Sequence, residues 1–423
     1  MKILVYSMQF WPEPTGIGKY SGDMAFWLAR RGHDVRVICS PPYYPHWKTQ
    51  EPYSGARFQL EQVNGLTVYR CPTWVPGRIS GFSRILCLSS FALTSIVAAL
   101  RALRWRPDVV FSVEPPFFCL PGALTLARLT GAKAWLHIQD FEVDAALQLG
   151  LLRIPGSGGL LRWFEAFLFR RFDRCSTISE TMLELLKARS GKSETCLLFR
   201  NWVDLNAVCP LDGPSSFRQV LGLDAHQKVA LYSGNMGEKQ GLEIIIEAAS
   251  ILQNRNDLVF VLCGNGAAAD RIRVLGGKLP NIRWLPVQPV EQLNSLLNLA
   301  DIHLLPQRAD AADLVMPSKL TGMLASGRPV VATAAVGTQI FNVVSKCGLN
   351  CDPGNTQDFT AAILKLADDV DLRERLGRAA REIAESELCM ETVLQRFENE
   401  LLKVCPPASN AVGMDGQSYQ NIR

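Results

Sequence analysis

The sequence predicts an α/β protein built from two tandem, doubly wound parallel sheets. Short apolar runs alternate with stretches of helical length over nearly the whole chain, the pattern of βαβ units. The alternation breaks at Cys209-Pro210-Leu211-Asp212-Gly213-Pro214-Ser215-Ser216, where loop formers cluster, and then starts again. A chain of 423 residues with 48 % apolar content is also long enough for two domains with cores of their own.

In the first half the expected strands are Ile3–Val5, Asp34–Ile38, Val68–Cys71, Asp108–Val113, Ala134–Ile138 and Arg174–Ile178. Between the first two lies Pro12-Glu13-Pro14-Thr15-Gly16-Ile17-Gly18-Lys19-Tyr20, a glycine loop opening a helix that gives way to Gly32-His33-Asp34. Glycines at a strand-to-helix turn let backbone approach an anion, and the helix start adds partial positive charge. A tight turn with no ligand reads the same way, and the third glycine of a dinucleotide fingerprint is missing. The second half repeats the plan. Val229–Tyr232 reads as strand, Gly234–Gly241 as loop, Leu242–Gln253 as helix and Val259–Leu262 as strand, with further strands at Ile282–Leu285, Ile302–Leu305 and Val330–Ala332. A last helix is expected from about Asp371 to Cys405, and the polar residues 406–423 are expected to be disordered. The domains are thus expected at 1–208 and 224–405, joined by a linker at 209–223. Ligands of such sheets bind at the C-terminal strand edges, so the site is expected in a cleft between the two.

Charge is nearly balanced at +4, which gives no electrostatic case for nucleic acid as a partner. The twelve cysteines are scattered and read as buried free thiols of a reducing compartment. Cys347 and Cys351 form an isolated CxxxC with no second ligand pair to make a metal site. Met1-Lys2 leads straight into a strand, with no leader and cleavage site. The longest apolar stretch, Ile85–Leu103, is interrupted by Ser89, Ser90, Thr94, Ser95 and Arg101 and falls short of the roughly 20 apolar residues of a spanning helix. A cytoplasmic protein is expected. Within residues 77–106, Arg78, Arg84, Arg101, Arg104 and Arg106 frame an apolar segment, compatible with an interfacial helix and equally with a buried helix of the first sheet.

Three places could hold phosphate. One is the backbone of Gly16-Ile17-Gly18. The second is the loop Gly234–Gly241, with Asn235, Lys239 and Gln240. The third is Pro317-Ser318-Lys319-Leu320, where Pro317 suits the first helical position and Gly327 the helix end, leaving N–H groups near Ser318 and Lys319 for an anion. Either lysine alone reads equally as a solvated surface residue; their placement in matching loops favours the site. No cofactor and no metal are called for, since Asp310-Ala311-Ala312-Asp313 reads as a helix start rather than an acidic metal pair.

These loops, together with Pro41-Pro42-Tyr43-Tyr44-Pro45, Glu114-Pro115-Pro116, His137-Ile138-Gln139-Asp140, Ser176-Thr177-Ile178-Ser179, Asn201-Trp202-Val203-Asp204 and Gly327-Arg328-Pro329-Val330-Val331, follow the order and spacing of a known family. The chain resembles the retaining GT-B-fold glycosyltransferases of family 4 over about residues 1–405. Within the family it looks more like the bacterial exopolysaccharide branch that includes the fucosyltransferase-like colanic acid biosynthesis enzymes. The resemblance implies transfer of a sugar from a UDP- or GDP-sugar to a polyprenyl-diphosphate-linked or oligosaccharide acceptor, with peripheral contact at the inner membrane. It implies that Lys239 and the loop N–H groups meet charge developing on the leaving diphosphate. It places His137 toward the donor sugar, with Asp140 or Asp144 orienting or deprotonating the acceptor. The competing account makes His137 a satisfied core histidine and Asp140 a helix cap. Tyr43 and Tyr44, with Trp11, Trp47 and Trp74, are expected either to stack on acceptor sugars or to pack in the core.

The sequence also departs from the family. Two glutamates eight apart are usual in the second domain; here their positions hold Leu314 and Gly322. Asn235 stands at the usual arginine, and Gln240 at the usual lysine, with Lys239 one residue before. These departures keep two other readings open: a GT-B phosphorylase or sugar-nucleotide epimerase, and a non-catalytic nucleotide-sugar-binding partner.

Overall fold

The first eight strands form one sheet: β1 Lys2–Tyr6, β2 Asp34–Cys39, β3 Gln59–Val63, β4 Leu66–Arg70, β5 Val109–Glu114, β6 Lys133–Ile138, β7 Arg174–Thr177 and β8 Cys196–Leu198. Their order is β3-β4-β2-β1-β5-β6-β7-β8, parallel except for β3. Strands β9 Lys228–Ser233, β10 Leu258–Cys263, β11 Ile282–Leu285, β12 Ile302–Leu305, β13 Val330–Thr333 and β14 Gly348–Cys351 form the second, in the order β11-β10-β9-β12-β13-β14. This computed structural model describes residues 1–78, 80–144, 157–308 and 317–406. The expectations for Asp310–Asp313, Leu314 and the tail at 407–423 lie outside the described residues.

Helices cover both faces of each sheet. Those of the first half are α1 Gly16–Arg30, α2 Gly81–Trp105, α3 Leu120–Thr130, α4 Ser157–Phe169 and α5 Glu180–Ser190. Those of the second are α6 Phe217–Val220, α7 Glu243–Ile251, α8 Ala269–Gly276, α9 Leu293–Leu297, α10 Ser318–Ala325, α11 Gln339–Cys347, α12 Thr356–Asp368, α13 Val370–Ile383 and α14 Met390–Val404. Central strands β5 and β10 are buried at every position, as expected for parallel strands covered on both faces.

Three strands escape the sequence pattern. β3 is an edge strand in which half-buried and exposed residues alternate. It pairs with β4 through Asn64-Gly65, both at positive φ, a two-residue hairpin turn matched to strand twist. β8 and β14 are only three and four residues long. The expected linker also shortens, because Phe217 is already buried with β9 and β10 under the second sheet.

The last helix departs most from expectation. It is not continuous: α13 runs into a π-helical turn, Ala384–Leu388, and the chain breaks at Cys389 before α14. Val203 pairs with this break, its N–H donating to Leu388 O and its carbonyl accepting from Met390 N. The sequence reading kept the whole helix with the second unit, but α14 crosses back onto the first sheet. Phe397 stacks on Phe199 with centroids 4.2 Å apart and packs edge-on against Phe111 and Trp135. Glu398 accepts from Arg31 at 3.1 Å and lies 2.9 Å from His33 Nε2. The apolar spacing of α14 is thus a response to the first sheet's uncovered face.

Candidate active site

Each sheet reverses its winding direction beside its first strand. β1 lies between β2 and β5, and β9 between β10 and β12. The chain leaving the C-terminal end of a strand at such a point opens a crevice where ligands bind. The loop after β1 leads to Gly16–Gly18, and the loop after β9 is Gly234–Gly241. Topology therefore puts both glycine loops where an open sheet takes its ligand.

At the start of α1, Thr15 stands at the cap position without a side-chain hydrogen bond to the helix. The first helical N–H groups thus remain for a ligand. Gly16 has φ of +61°, a left-handed conformation, and a Cβ there would meet nothing within 4 Å. The glycine is needed for the turn, and the space above it is open. Behind the loop, Glu13 is buried, and its Oε1 accepts the N–H groups of Tyr43 and Tyr44 at 3.0 and 2.9 Å. Burial pushes this carboxyl up to about 7, against the pull of those two N–H groups.

In the second unit, α10 begins at Ser318. Pro317 takes the cap position rather than the first helical one, and it offers no side-chain acceptor. Lys319 folds back over Tyr232, Nζ 3.4 Å from the hydroxyl and 4.5 Å from the ring centre. Its Cδ would lie 3.4 Å from a Cβ placed on Gly234. α10 and the Gly234 loop therefore form one surface, with an ammonium held at their junction. Burial lowers Lys319 from the usual lysine value to about 8. The loop is backed by a second one after β10. Gly264 has φ of +151°, and a Cβ there would fall 2.0 Å from Gly234 O. Met236 N–H donates to Asn265 O, and Ala268 N–H to Met236 O. Asn235 is exposed, with its carbonyl accepting the Tyr232 hydroxyl at 2.6 Å. Gln240 Oε1 is buried with no partner.

Lys239 is exposed, and its carbonyl accepts the N–H of Arg308 at 3.1 Å. Arg308 Cγ would lie 2.9 Å from a Cβ on Gly241, so the arginine rests on the loop beside Lys239. The two units meet close by. Tyr20, one turn into α1, faces Thr321, one turn into α10. Gly16–Gly18 and Ser318–Lys319 thus open toward the same space, each with the positive end of a helix.

The residues expected around the sugar are placed differently. His137 is buried on β6, its ring stacked on Phe111. Gln139 Nε2 donates to His137 Nε2 at 3.0 Å, which leaves Nδ1–H to donate to Ser176 Oγ at 3.0 Å. Gln139 is itself paired with Asn201 in both directions. This is a neutral imidazole with both nitrogens engaged, and burial holds its pKa down to about 3. A protonated ring would turn a second N–H onto the Gln139 amide. Both ring nitrogens are therefore engaged within the protein. Asp144 is ion-paired to Arg162 and Arg189, and Arg189 also holds the buried Glu165. Asp140 is exposed. Tyr43 is buried, edge-on to Trp47, so its ring serves the core; Tyr44 on the same Glu13-anchored loop is half-buried. Ile17 is half-buried, and Leu320 faces the core. Gly322, where the resemblance implies a ribose-binding glutamate, turns toward Leu297, 3.1 Å from an added Cβ.

Residues 15–202 match the glycosyl transferase 4-like domain, and residues 215–383 the glycosyl transferases group 1 domain. Over 95 % of this chain and the full length of the relative, the sequence is 40 % identical to the putative colanic acid biosynthesis glycosyl transferase WcaI of Escherichia coli strain K12. The chain belongs to the GT-B glycosyltransferases. The fold agrees. The structure is similar to sucrose-phosphate synthase from Thermosynechococcus elongatus (TM-score 0.73, 16 % identity, 95 % of this chain and 98 % of the other). It is also similar to Anabaena HepE in complex with UDP and glucose (0.68, 16 %, 95 % and 100 %). This glycosyltransferase therefore belongs to a family that uses nucleotide-sugar donors.

Proposed function

We propose that the enzyme is a retaining glycosyltransferase of exopolysaccharide assembly. It moves a hexosyl or deoxyhexosyl group from a UDP- or GDP-sugar to a saccharide on a polyprenyl diphosphate, at the cytoplasmic face of the membrane. The observation that supports this best is the convergence of two helix N-termini and the Lys319 ammonium on one opening between the sheets. A nucleoside diphosphate leaving group carries its charge to that place. Groups fixed there before the reaction stabilise the charge as it develops, without reorganising during the step.

In this reading the N–H groups of Gly16–Gly18 and Ser318–Lys319 hold the diphosphate, Lys319 neutralises it, and Lys239 with Arg308 guards the mouth. The Gly234–Gly241 loop with Asn235 and Gln240 holds the nucleoside. Charge is met by these donors rather than by a metal ion. With His137 neutral and engaged, the proton of the acceptor hydroxyl passes to the departing phosphate on the same face of the sugar, which retains configuration. Asp140, exposed at the end of β6, orients the acceptor. The similarity to WcaI supports the pathway; the UDP seen in HepE supports the nucleotide class.

The test is a thermal-shift panel of UDP, GDP and dTDP with their sugars, because a ligand of the native state raises its melting point. Nucleotide release with a polyprenyl-diphosphate saccharide follows, and NMR assignment of the product anomer. Binding without release under any acceptor would favour a non-catalytic partner. Sugar interconversion without acceptor would favour an epimerase.

A further inference from the structure

Helix α2 lies on the first sheet with one side in the core. Cys87, Leu88, Phe91, Ser95, Ala98 and Trp105 are buried, and the Ser95 hydroxyl is hydrogen-bonded to Tyr6 of β1. Its other side carries Phe82, Leu86, Leu93, Ile96, Val97 and Leu100, all exposed, with Phe82 at 73 % and Leu93 at 69 %. Their spacing follows the helical repeat, so they form a stripe along its outer face. Two further helices carry exposed apolar residues of their own. α3 packs against α2 and adds Leu129, and α4 adds Leu160 and Trp163, the latter 62 % exposed. Phe117 and Phe164 touch edge-on and join α4 to the start of α3. Folded monomers scatter such residues singly; six exposed apolar side chains along one face of one helix mark an interaction surface.

The charge around the stripe is one-sided. From Gln62 to Pro107 the chain has no Asp or Glu. Arg78, Arg101, Arg104 and Arg106 are exposed, and among the described residues they form no ion pair. They stand before the start of α2 and at its end, flanking the apolar face. An apolar stripe between unpaired arginines is complementary to a layer of acyl chains beneath anionic headgroups. The sequence placed this stretch short of a spanning helix, but the helix starts earlier, at Gly81, and over its 25 residues is long and apolar enough to cross a bilayer; Phe91, Ser95 and Ala98 are committed to the core, so it lies on a surface rather than through one. Trp74 and Phe82 follow β4, and Phe118 follows β5, at the C-terminal strand edge where the cleft opens.

We infer that the outer face of α2 docks the enzyme in plane on an anionic phospholipid surface, with the mouth of the cleft at the headgroups. This rests on the proposed lipid-linked acceptor. A diphosphate anchored in the bilayer would then enter the cleft at headgroup depth, without leaving the membrane.

The test is flotation of the full chain with vesicles of phosphatidylethanolamine and phosphatidylglycerol, against vesicles of phosphatidylcholine alone. Wild-type enzyme should float with the anionic vesicles about tenfold more than with the neutral ones, and less at high salt. Leu93→Glu/Ile96→Glu should cut flotation by about tenfold or more while melting like wild type. Arg101→Ser/Arg104→Ser should remove the preference for anionic lipid. Wild type that stays unbound, or a double glutamate variant that floats normally, would overturn the inference. So would a dimer in sedimentation that the glutamate variant dissociates, since the surface would then belong to a second copy. Transfer to a detergent-dispersed polyprenyl-diphosphate saccharide separates the two readings. Flotation without transfer retains the surface and sinks the acceptor assignment; transfer without flotation does the reverse.

Discussion

Replacing Lys319 by methionine should make the protein more stable and a poorer transferase. The ammonium is held over Tyr232 in a place that lowers its pKa from 10.5 to about 8. At about 1.4 kcal/mol per pH unit, keeping that charge in the empty protein costs roughly 3 kcal/mol. Methionine has a similar length and no charge, but it loses the cation–π contact, worth about 0.5–1 kcal/mol. The net gain is about 2 kcal/mol, a rise of a few degrees in Tm. Its pH dependence has a definite sign. Below pH 8 the lysine is charged in both folded and unfolded chains, and the full penalty applies. Between about 8 and 10.5 the unfolded chain binds the proton and the folded one does not, so wild-type stability rises with pH relative to the variant. The stability advantage of Lys319→Met should therefore be largest near pH 7 and vanish by about pH 10. Nucleotide binding should change in the opposite direction. Loss of a charge-assisted contact to phosphate, about 1.5–3 kcal/mol, weakens UDP or GDP by about 10–100-fold. Melting curves of both proteins at pH 7 and 9.5, with and without nucleotide, read all of this. A variant that melts no higher than wild type and keeps its full nucleotide shift would refute the assignment of Lys319 to the diphosphate.

Other changes probe separate parts of the site. His137→Ala should destabilise by a few kcal/mol, since it strands Gln139 and Ser176 and removes a ring stacked on Phe111, while the folded fraction turns over normally. A stable variant with kcat down a hundredfold would restore the histidine to the chemistry. Gly264→Ala puts a Cβ 2.0 Å from Gly234 O, a backbone atom that must move to admit it, and should lower stability as well as abolish nucleotide binding in the protein that still folds; an unchanged thermal shift would show that the Gly234 loop does not hold the donor. Phe397→Ala should cost about 3–5 kcal/mol in urea unfolding, from a side chain stacked at 4.2 Å on Phe199; a loss under 1 kcal/mol would mean that α14 is only loosely docked. EDTA should leave transfer intact, and activity lost to EDTA and restored by Mg²⁺ would show that a metal takes part.

The sequence carried the fold because parallel strands covered on both faces read as short apolar runs, and helices between them as periodic ones. It hid β3, whose alternating exposure belongs to an edge, and it hid the break at Cys389. Ala384–Leu388 continues the helical spacing, and only Val203, far away in the chain, marks the interruption. The glycine loops were legible because a strand, a turn and a helix start are local. The pairing of Lys319 with Gly234 was not, because 85 positions separate residues that one loop and one helix bring together. Gly264-Asn265-Gly266 was a visible signal that the reading passed over: glycines directly after an apolar strand. Arg308, three residues past β12, was another. His137 sat at the right strand end for a ligand, but its partners in the structure are Ser176, Gln139 and Phe111, and a single strand does not display its neighbours.

The return of α14 to the first sheet sets where this enzyme can be cut and rejoined. The chain leaves the first half at Val203 and re-enters it at Cys389, at one bridged point. A fragment ending near residue 208 would present Phe111, Trp135 and Phe199 to water, and the remainder would carry an α14 with nothing to cover. Hybrids that exchange donor halves between relatives should therefore replace 209–388 as an insert and keep 390–404 with the recipient. A simple head-to-tail fusion would mate a foreign last helix with a face that it did not evolve to fit.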